Sequence, residues 1–260
     1  LRYNVAMILD SNDFKSISAS MGEAGVQVTQ LGAAEGSAGN ISVFVPELSG
    51  IPPHFRSRVD FELPLHVPHL AGGWVLISAT GRRLRDLAQR PDISLCVLRI
   101  HADGRTADLL AANDVRPTSE TNSHLAIHND RAAQAPLEFH AVVHAQPVHI
   151  SYMSHVYRDD DWLAFNRRLL RWQPETIIIF PDGIGLVPFQ VPGSPQQMDA
   201  TLAALRLHRL VVWQFHGTVS RSEQSVLRAA DFVEYAETAA RYEYMNLQAG
   251  SPAAGLSPEE

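Results

Sequence analysis

Residues 139 to 152, FHAVVHAQPVHISY, constrain this chain more than any other stretch. Ala141, Val142 and Val143 form the apolar run of a buried strand, which carries His144 to its end. Pro147 has no backbone N–H to offer and stops the ladder just before a segment able to turn helical. A second apolar run, LVVWQFHG, brings His216 to a similar end far downstream. With His140, His149 and His155, these imidazoles make a candidate cluster for a transition metal such as zinc. The chain has neither an HExxH nor paired CxxC motifs, so spacing alone leaves His144 open between a ligand and a core histidine with its hydrogen bonds satisfied.

A hydrophobic content of 45% over 260 residues is enough to fill the core of one sizeable domain or two small ones. The formal net charge of −7, without a long run of Lys or Arg, argues against nucleic acid or an anionic membrane surface as the main partner. A small anion held by a few local groups remains compatible. Cys96 is the single cysteine, which excludes an internal disulfide framework and a cysteine-rich metal site; in the apolar context SLCVL it reads as a core thiol of a cytoplasmic protein. Lys15 is the single lysine, so Schiff-base chemistry would have to use that polar-flanked residue. The longest apolar runs, TIIIF and LVVW, are too short to span a bilayer. The chain starts at Leu1, which leaves a removed targeting segment open.

Taken in order, a short apolar start and a polar break at 10–12 precede a helix from Asp13 to about Gly32, weakened by Gly22 and Gly25. A glycine-rich turn then runs into a strand at 41–45; its segment 36–40 is either a plain loop or a backbone contact for an anion, and Thr80-Gly81 offers a second such contact. FELPLHV reads as an edge strand, because Pro64 cannot donate to a ladder. WVLISATGRR reads as a buried strand ending in a polar turn, followed by a short helix over 84–89 and a break at Pro91. Asp103-Gly104 predicts a hairpin between two antiparallel strands. In RPTSETNSHLAIHND, Pro117 stops a strand while Thr118 and Ser119 cap a helix, placing Glu120 in its first turn as either a dipole-compensating carboxylate or a general acid/base.

Two helices follow the central strand, then TIIIF as a short buried strand and the loop PDGIGLVPFQVPGSP as part of a site or a subunit contact. A helix over 195–208, the LVVWQFHG strand and a long helix over 222–246 complete the pattern. His54, His66 and His69 read as surface or packing residues, His124, His128 and His208 as helix-face residues, and His140 and His155 as structural or surface residues. The whole is one α/β domain over 1–248, with a mixed sheet surrounded by helices and a flexible tail over 249–260.

AVVHAQPVH, FPDGIGLVPFQVPGS, FHG at 215–217, PTSE at 117–120, GNIS at 39–42 and ATGR at 79–82 together resemble, in order, the motifs of the class II aldolase/adducin family and within it the rhamnulose-phosphate branch. The resemblance implies a central, mainly antiparallel sheet flanked by helices, a homotetramer, and a divalent metal, zinc in most members. It implies reversible cleavage of a ketose 1-phosphate to dihydroxyacetone phosphate and an aldehyde. His144 and His216 then correspond to metal ligands, Glu120 to the acid/base and Glu175 to a second carboxylate near the metal. Asn40, Thr80, Gly81, Thr118 and Ser119 correspond to phosphate contacts.

One position departs from the pattern: where the family carries a second ligating histidine, this chain has Gln146, whose carboxamide oxygen is a poorer ligand for zinc than imidazole. His149 or Glu175 are candidates to complete the site, and Gln146 can instead hydrogen-bond His144. The departure keeps two alternatives in view: a sugar-phosphate epimerase or decarboxylase with altered metal ligation, and a non-catalytic binding or assembly protein.

Overall fold

The computed structural model describes residues 12–159 and 161–257; the short apolar start expected before residue 12 lies outside the described residues. In chain order the elements are α1 (Phe14–Gln30), β1 (Asn40–Val45), β2 (Arg56–Glu62), β3 (Trp74–Ser78), α2 (Pro91–Ser94), β4 (Leu95–Ile100), β5 (Thr106–Ala111), α3 (Thr121–Gln134), β6 (His140–Ala145), α4 (Val148–Val156), α5 (Trp162–Leu170), α6 (Pro174–Ile179), β7 (Gly185–Val187), α7 (Pro195–Leu205), β8 (Leu210–Trp213), β9 (Gly217–Ser222) and α8 (Val226–Gln248). One sheet takes all nine strands in the order β2-β5-β4-β3-β1-β6-β9-β8-β7. Every pairing is antiparallel except β7 with β8.

Alternation along the two central strands decides what meets on each face. Ile41, Val43 and Val45 of β1 and Ala141, Val143 and Ala145 of β6 join one core with α1, α4, α5 and α8. Phe44 and Val142, on the opposite parity, enter the cores beneath α3 and α7. The polar members of that second set are Asn40, Ser42, His140 and His144, all buried on the α3 side. The register places Asn40 opposite His144 and Phe44 opposite His140.

The long C-terminal helix can lie close on the sheet because its buried stripe is built largely of small residues, Ala229, Ala230, Val233, Ala236, Ala239 and Ala240, at helical spacing. Gly25, which weakens α1 on propensity alone, is required by packing: a Cβ there would come within 2.4 Å of the Leu84 carbonyl oxygen. Asp13 caps α1 by accepting from the Ser16 N–H at 3.2 Å.

Several sequence expectations need correction. TIIIF is not a strand but most of α6, which starts with Pro174 at its first turn and buries Thr176 and Phe180 four residues apart while Ile177 and Ile178 face outward. The strand at that end of the sheet is β7, inside the segment read as loop. Pro91 does not break a helix; it opens the single turn α2, and 84–86 is a short 3-10 turn. The edge strand ends at Glu62, and FELPLHV beyond it leaves the sheet at Leu63-Pro64. Residues 218–221, left between the LVVWQFHG strand and the last helix on sequence, form β9 with Gly217 and Ser222, and the helix starts later, at Val226. The segment after α8 hydrogen-bonds back to the body, the Leu256 N–H donating to the Arg171 carbonyl at 2.7 Å.

Candidate active site

His144 closes β6 between β1 and β9, buried to 2% exposure. Its Nδ1–H donates to the Thr218 carbonyl at 2.9 Å, which orients the ring and turns Nε2 toward the site. His216 sits in the turn between β8 and β9, after Phe215, whose φ of +68° is a left-handed conformation rare for a bulky residue. Neighbours hold that turn: the Phe215 N–H donates to Ser154 Oγ at 2.9 Å, and the Phe215 ring stacks on His155 at 4.5 Å. Trp213 lies against both site imidazoles, 4.9 Å from His144 and 5.2 Å from His216 between ring centroids.

Glu120 reaches this pair from the N-terminus of α3. Its Oε2 lies 3.6 Å from His144 Nε2 and its Oε1 3.9 Å from His216 Nε2, too far for hydrogen bonds. Burial would raise the Glu120 carboxyl, but the adjoining His144, the Asn40 hydrogen bond and the other imidazoles outweigh it and hold the group below the usual carboxylate range. Burial, reinforced by His144 and opposed by Glu120, pushes His216 below its ordinary value. An ionised carboxylate therefore faces two imidazole rings.

This arrangement fits a metal. The three ligand atoms lie within 4.8 Å of one another, and neighbouring ligand atoms around a tetrahedral zinc ion are about 3.4 Å apart at ordinary bond lengths. Two imidazoles and a carboxylate suit a divalent transition metal, and with Nδ1 bonded to the Thr218 carbonyl the His144 Nε2 is the nitrogen turned toward it. A cavity of about 380 Å³ lined by Phe44, His69, Gly72 and Leu137 shares no residue with this cluster, so the site is defined by its donors and not by that concavity.

The other expected residues divide. Gln146 follows β6 half-buried, its N–H donating to the Ala33 carbonyl at 2.7 Å. It packs against Gly217, where a Cβ would come within 3.2 Å of Gln146 Cγ and 2.5 Å of the Ala145 carbonyl, so its side chain runs beside the residue that follows His216. The Gln146 carboxamide has no hydrogen bond to His144 among the described residues. His149 is engaged elsewhere: its Nδ1 meets the buried Glu237 at 2.6 Å, and that carboxylate also accepts the N–H groups of His149 and Ile150 at 3.0 Å. Glu175 stands exposed in the first turn of α6, outside the cluster.

The anion-contact candidates converge at the N-terminus of α3. An isolated bridge joins Ala79 to Pro117, the Thr80 N–H donates to Arg116 at 2.9 Å and the Thr118 N–H donates to Ser78 at 3.0 Å. Thr80, Gly81 and Ser119 are exposed there, while Thr118 is buried. Asn40 is committed differently, its Nδ2 donating to Glu120 Oε2 at 2.8 Å. His124 and His128, read as mere helix-face residues, lie wholly buried behind Asn40 and hydrogen-bond into the sheet. Their spacing of four in HLAIH was the available signal, since it puts both on one face of α3.

Residues 19–244 match the family model for the Class II Aldolase and Adducin N-terminal domain. The rhamnulose-1-phosphate aldolase of Listeria welshimeri is 33% identical over 221 residues, which cover 83% of this chain and 78% of that protein. The protein of the same name from Enterococcus faecalis is 30% identical over 226 residues, covering 85% and 80%. Among solved structures, a sugar-phosphate aldolase from Thermotoga maritima superposes with a TM-score of 0.77 at 27% identity, covering 93% of this chain and 99% of that one. An L-fuculose 1-phosphate aldolase shares the fold, with a TM-score of 0.59 at 15% identity and coverage of 94% and 91%. The matched span contains Glu120, His144 and His216 together with the strands and helix that hold them, and the chain belongs to the class II aldolase and adducin family.

Proposed function

We propose that this chain is a metal-dependent aldolase that reversibly cleaves a ketose 1-phosphate, L-rhamnulose 1-phosphate foremost, to dihydroxyacetone phosphate and an aldehyde. The observation that carries the reading is the ionised Glu120 carboxylate facing two imidazoles, one of them at a buried strand end. Breaking the C3–C4 bond leaves an electron pair at C3, next to the C2 carbonyl, and that charge needs a sink. Lys15 is exposed in the first turn of α1 and offers no Schiff base to the site. A divalent cation, zinc in this reading, supplies the sink by stabilising negative charge on the substrate oxygens.

His144 and His216 would hold that cation, with the Gln146 carboxamide as the further neutral donor and the Glu120 carboxylate facing it as the group that moves protons. In the cleavage direction the ionised Glu120 takes the C4 hydroxyl proton as the C3–C4 bond breaks and C4–O becomes the aldehyde carbonyl, then delivers that proton to C3; the reverse direction runs the same transfers backwards. The Thr80, Thr118 and Ser119 hydroxyls with the Gly81 and Ser119 N–H groups hold the phosphate at the N-terminus of α3, whose dipole favours an anion, since the Thr80 and Thr118 N–H groups are spent on backbone carbonyls. Asn40 contributes through its hydrogen bond to Glu120. The phosphate contacts then set the reacting carbon against Glu120 and the imidazoles, which is orientation and not bond chemistry.

Assembly into a homotetramer forms part of the proposal. Ile178 on α6 and Val191 on the loop beyond β7 are 70% and 67% exposed, each an apolar side chain that contact with another copy would cover. Glu175 lies on the same short helix, so a catalytic part for it runs through a neighbouring subunit. No helix of the described residues is long and apolar enough to cross a membrane, and the buried, reduced Cys96 suits the cytoplasm. Gln146 is the observation that favours a second reading, epimerisation or decarboxylation of a sugar phosphate. Incubation with a panel of ketose 1-phosphates separates the two: release of dihydroxyacetone phosphate from L-rhamnulose 1-phosphate is expected, and substrate consumption without it would support the second.

A further inference from the structure

Behind Glu120 a line of buried polar groups runs between α3 and the sheet to the far end of β6, and the chemistry of each member fixes its direction. An ionised carboxylate only accepts, so Asn40 turns its Nδ2 to Glu120, at 2.8 Å, and its Oδ1 to His124 Nε2, with which it makes a very close contact. His124 therefore carries its proton on Nε2, and its bare Nδ1 accepts from the Ser42 hydroxyl at 2.6 Å. Ser42 Oγ, its proton spent, accepts from His128 Nε2–H at 2.7 Å. His128 Nδ1 then accepts from His140 Nδ1–H at 2.8 Å. The line ends at His140 Nε2, a bare acceptor with no partner among the described residues.

We propose that Ser42, His124, His128 and His140 form a one-way hydrogen-bond relay that fixes the orientation of the Asn40 carboxamide and, through it, holds Glu120 Oε2 in position for proton transfer. The inference rests on the reading of Glu120 as the acid/base. The members are positioning residues, since the Asn40 amide interrupts any path for proton hopping. One-way order follows from the ends: a carboxylate at one and an unpartnered nitrogen at the other. Reversal would bury an unpaired N–H at His140 and turn the Asn40 oxygen onto the carboxylate, placing two acceptors face to face. Burial holds all three histidines well below their ordinary value, to about 3 for His124 and His140, so each stays neutral and keeps one donor and one acceptor.

The test has a spectroscopic arm and a kinetic arm. In protein labelled with 15N-histidine at neutral pH, long-range 1H–15N correlation is expected to give the Nε2–H pattern for His124 and His128 and the Nδ1–H pattern for His140. A proton on His140 Nε2 overturns the proposal. In the kinetic arm, His128→Gln keeps an N–H at the place of Nε2, whereas His128→Leu removes it. His128→Leu is expected to lower kcat about tenfold at nearly unchanged KM, with zinc content retained, and His128→Gln to recover most of the loss. Equal kcat in the two variants, or a change confined to KM, overturns the positioning role. Should His128→Leu fail to fold, Ser42→Ala makes the same break with a smaller change and the same expected split. The tautomer spectrum needs no substrate, so a wild-type chain that cleaved no sugar phosphate would count against the functional reading while the spectrum still decided the relay.

Discussion

Replacing the Glu120 carboxylate by a carboxamide keeps its size but removes the proton carrier. Glu120→Gln is expected to lower kcat by about two to four orders of magnitude with the melting transition preserved; unchanged turnover would remove Glu120 from the mechanism. Gln146→His puts an imidazole where the side chain passes Gly217, the residue after His216, and is expected to slow the loss of zinc on dialysis against a weak chelator, read by metal analysis. Cys96 is fully buried with its thiol pushed up to about 12, by burial chiefly, so it is expected to resist thiol reagents until the protein unfolds. His144 and His216 stood out in the sequence at the ends of apolar runs and Glu120 near the start of a helix, but each alone stayed open, and the ordered resemblance of the surrounding motifs singled them out together; the structure puts Glu120 at the N-cap itself, where Thr118 and Ser119 were expected. The engagement of His149 with Glu237 was not legible, since the partner lies 88 residues away, and neither was the joint burial of His124, His128 and His140, which depends on β1 and β6 being neighbours.

At the scale of elements, Glu237 on α8 caps the N-terminus of α4 and thereby braces the turn after His144. Glu237→Leu would leave the His149 and Ile150 N–H groups without their acceptor, and is expected to cost about 2–4 kcal/mol in denaturant unfolding. A loss below about 0.5 kcal/mol would show that α4 is held by its apolar contacts alone. The sequence was least informative where a short apolar run had two possible periods. TIIIF has the composition of a strand, yet Pro174 and the outward-facing Ile177 and Ile178 make it a helix. β9 was hidden by its polarity, GTVSRS, because strand pairing on both sides and not hydrophobic alternation holds it in the sheet.

For the whole molecule, the buried neutral histidines set a limit on acid tolerance. A histidine whose folded value lies near 3 takes up its proton only on unfolding between there and the ordinary 6.5. Stability is therefore lost as the pH falls below 6.5, by roughly 1.4 kcal/mol per pH unit for each such group. Chemical denaturation between pH 7.5 and 5.5 is expected to show a falling midpoint, and a flat profile would mean that these groups are charged or solvated in the native state. The α/β class, the Asp-Gly hairpin, the helices α1, α3 and α8 and the strands that carry the site were all readable from periodicity and turn chemistry. Strand order was not, because the neighbours β1 and β6 are separated in the chain by most of the remaining sheet. The most direct test of the account is release of dihydroxyacetone phosphate from L-rhamnulose 1-phosphate by metal-stripped protein titrated with zinc. Activity that is absent after stripping and saturates near one equivalent per chain is the predicted result; full activity in the stripped protein, or none at any zinc level, would contradict it.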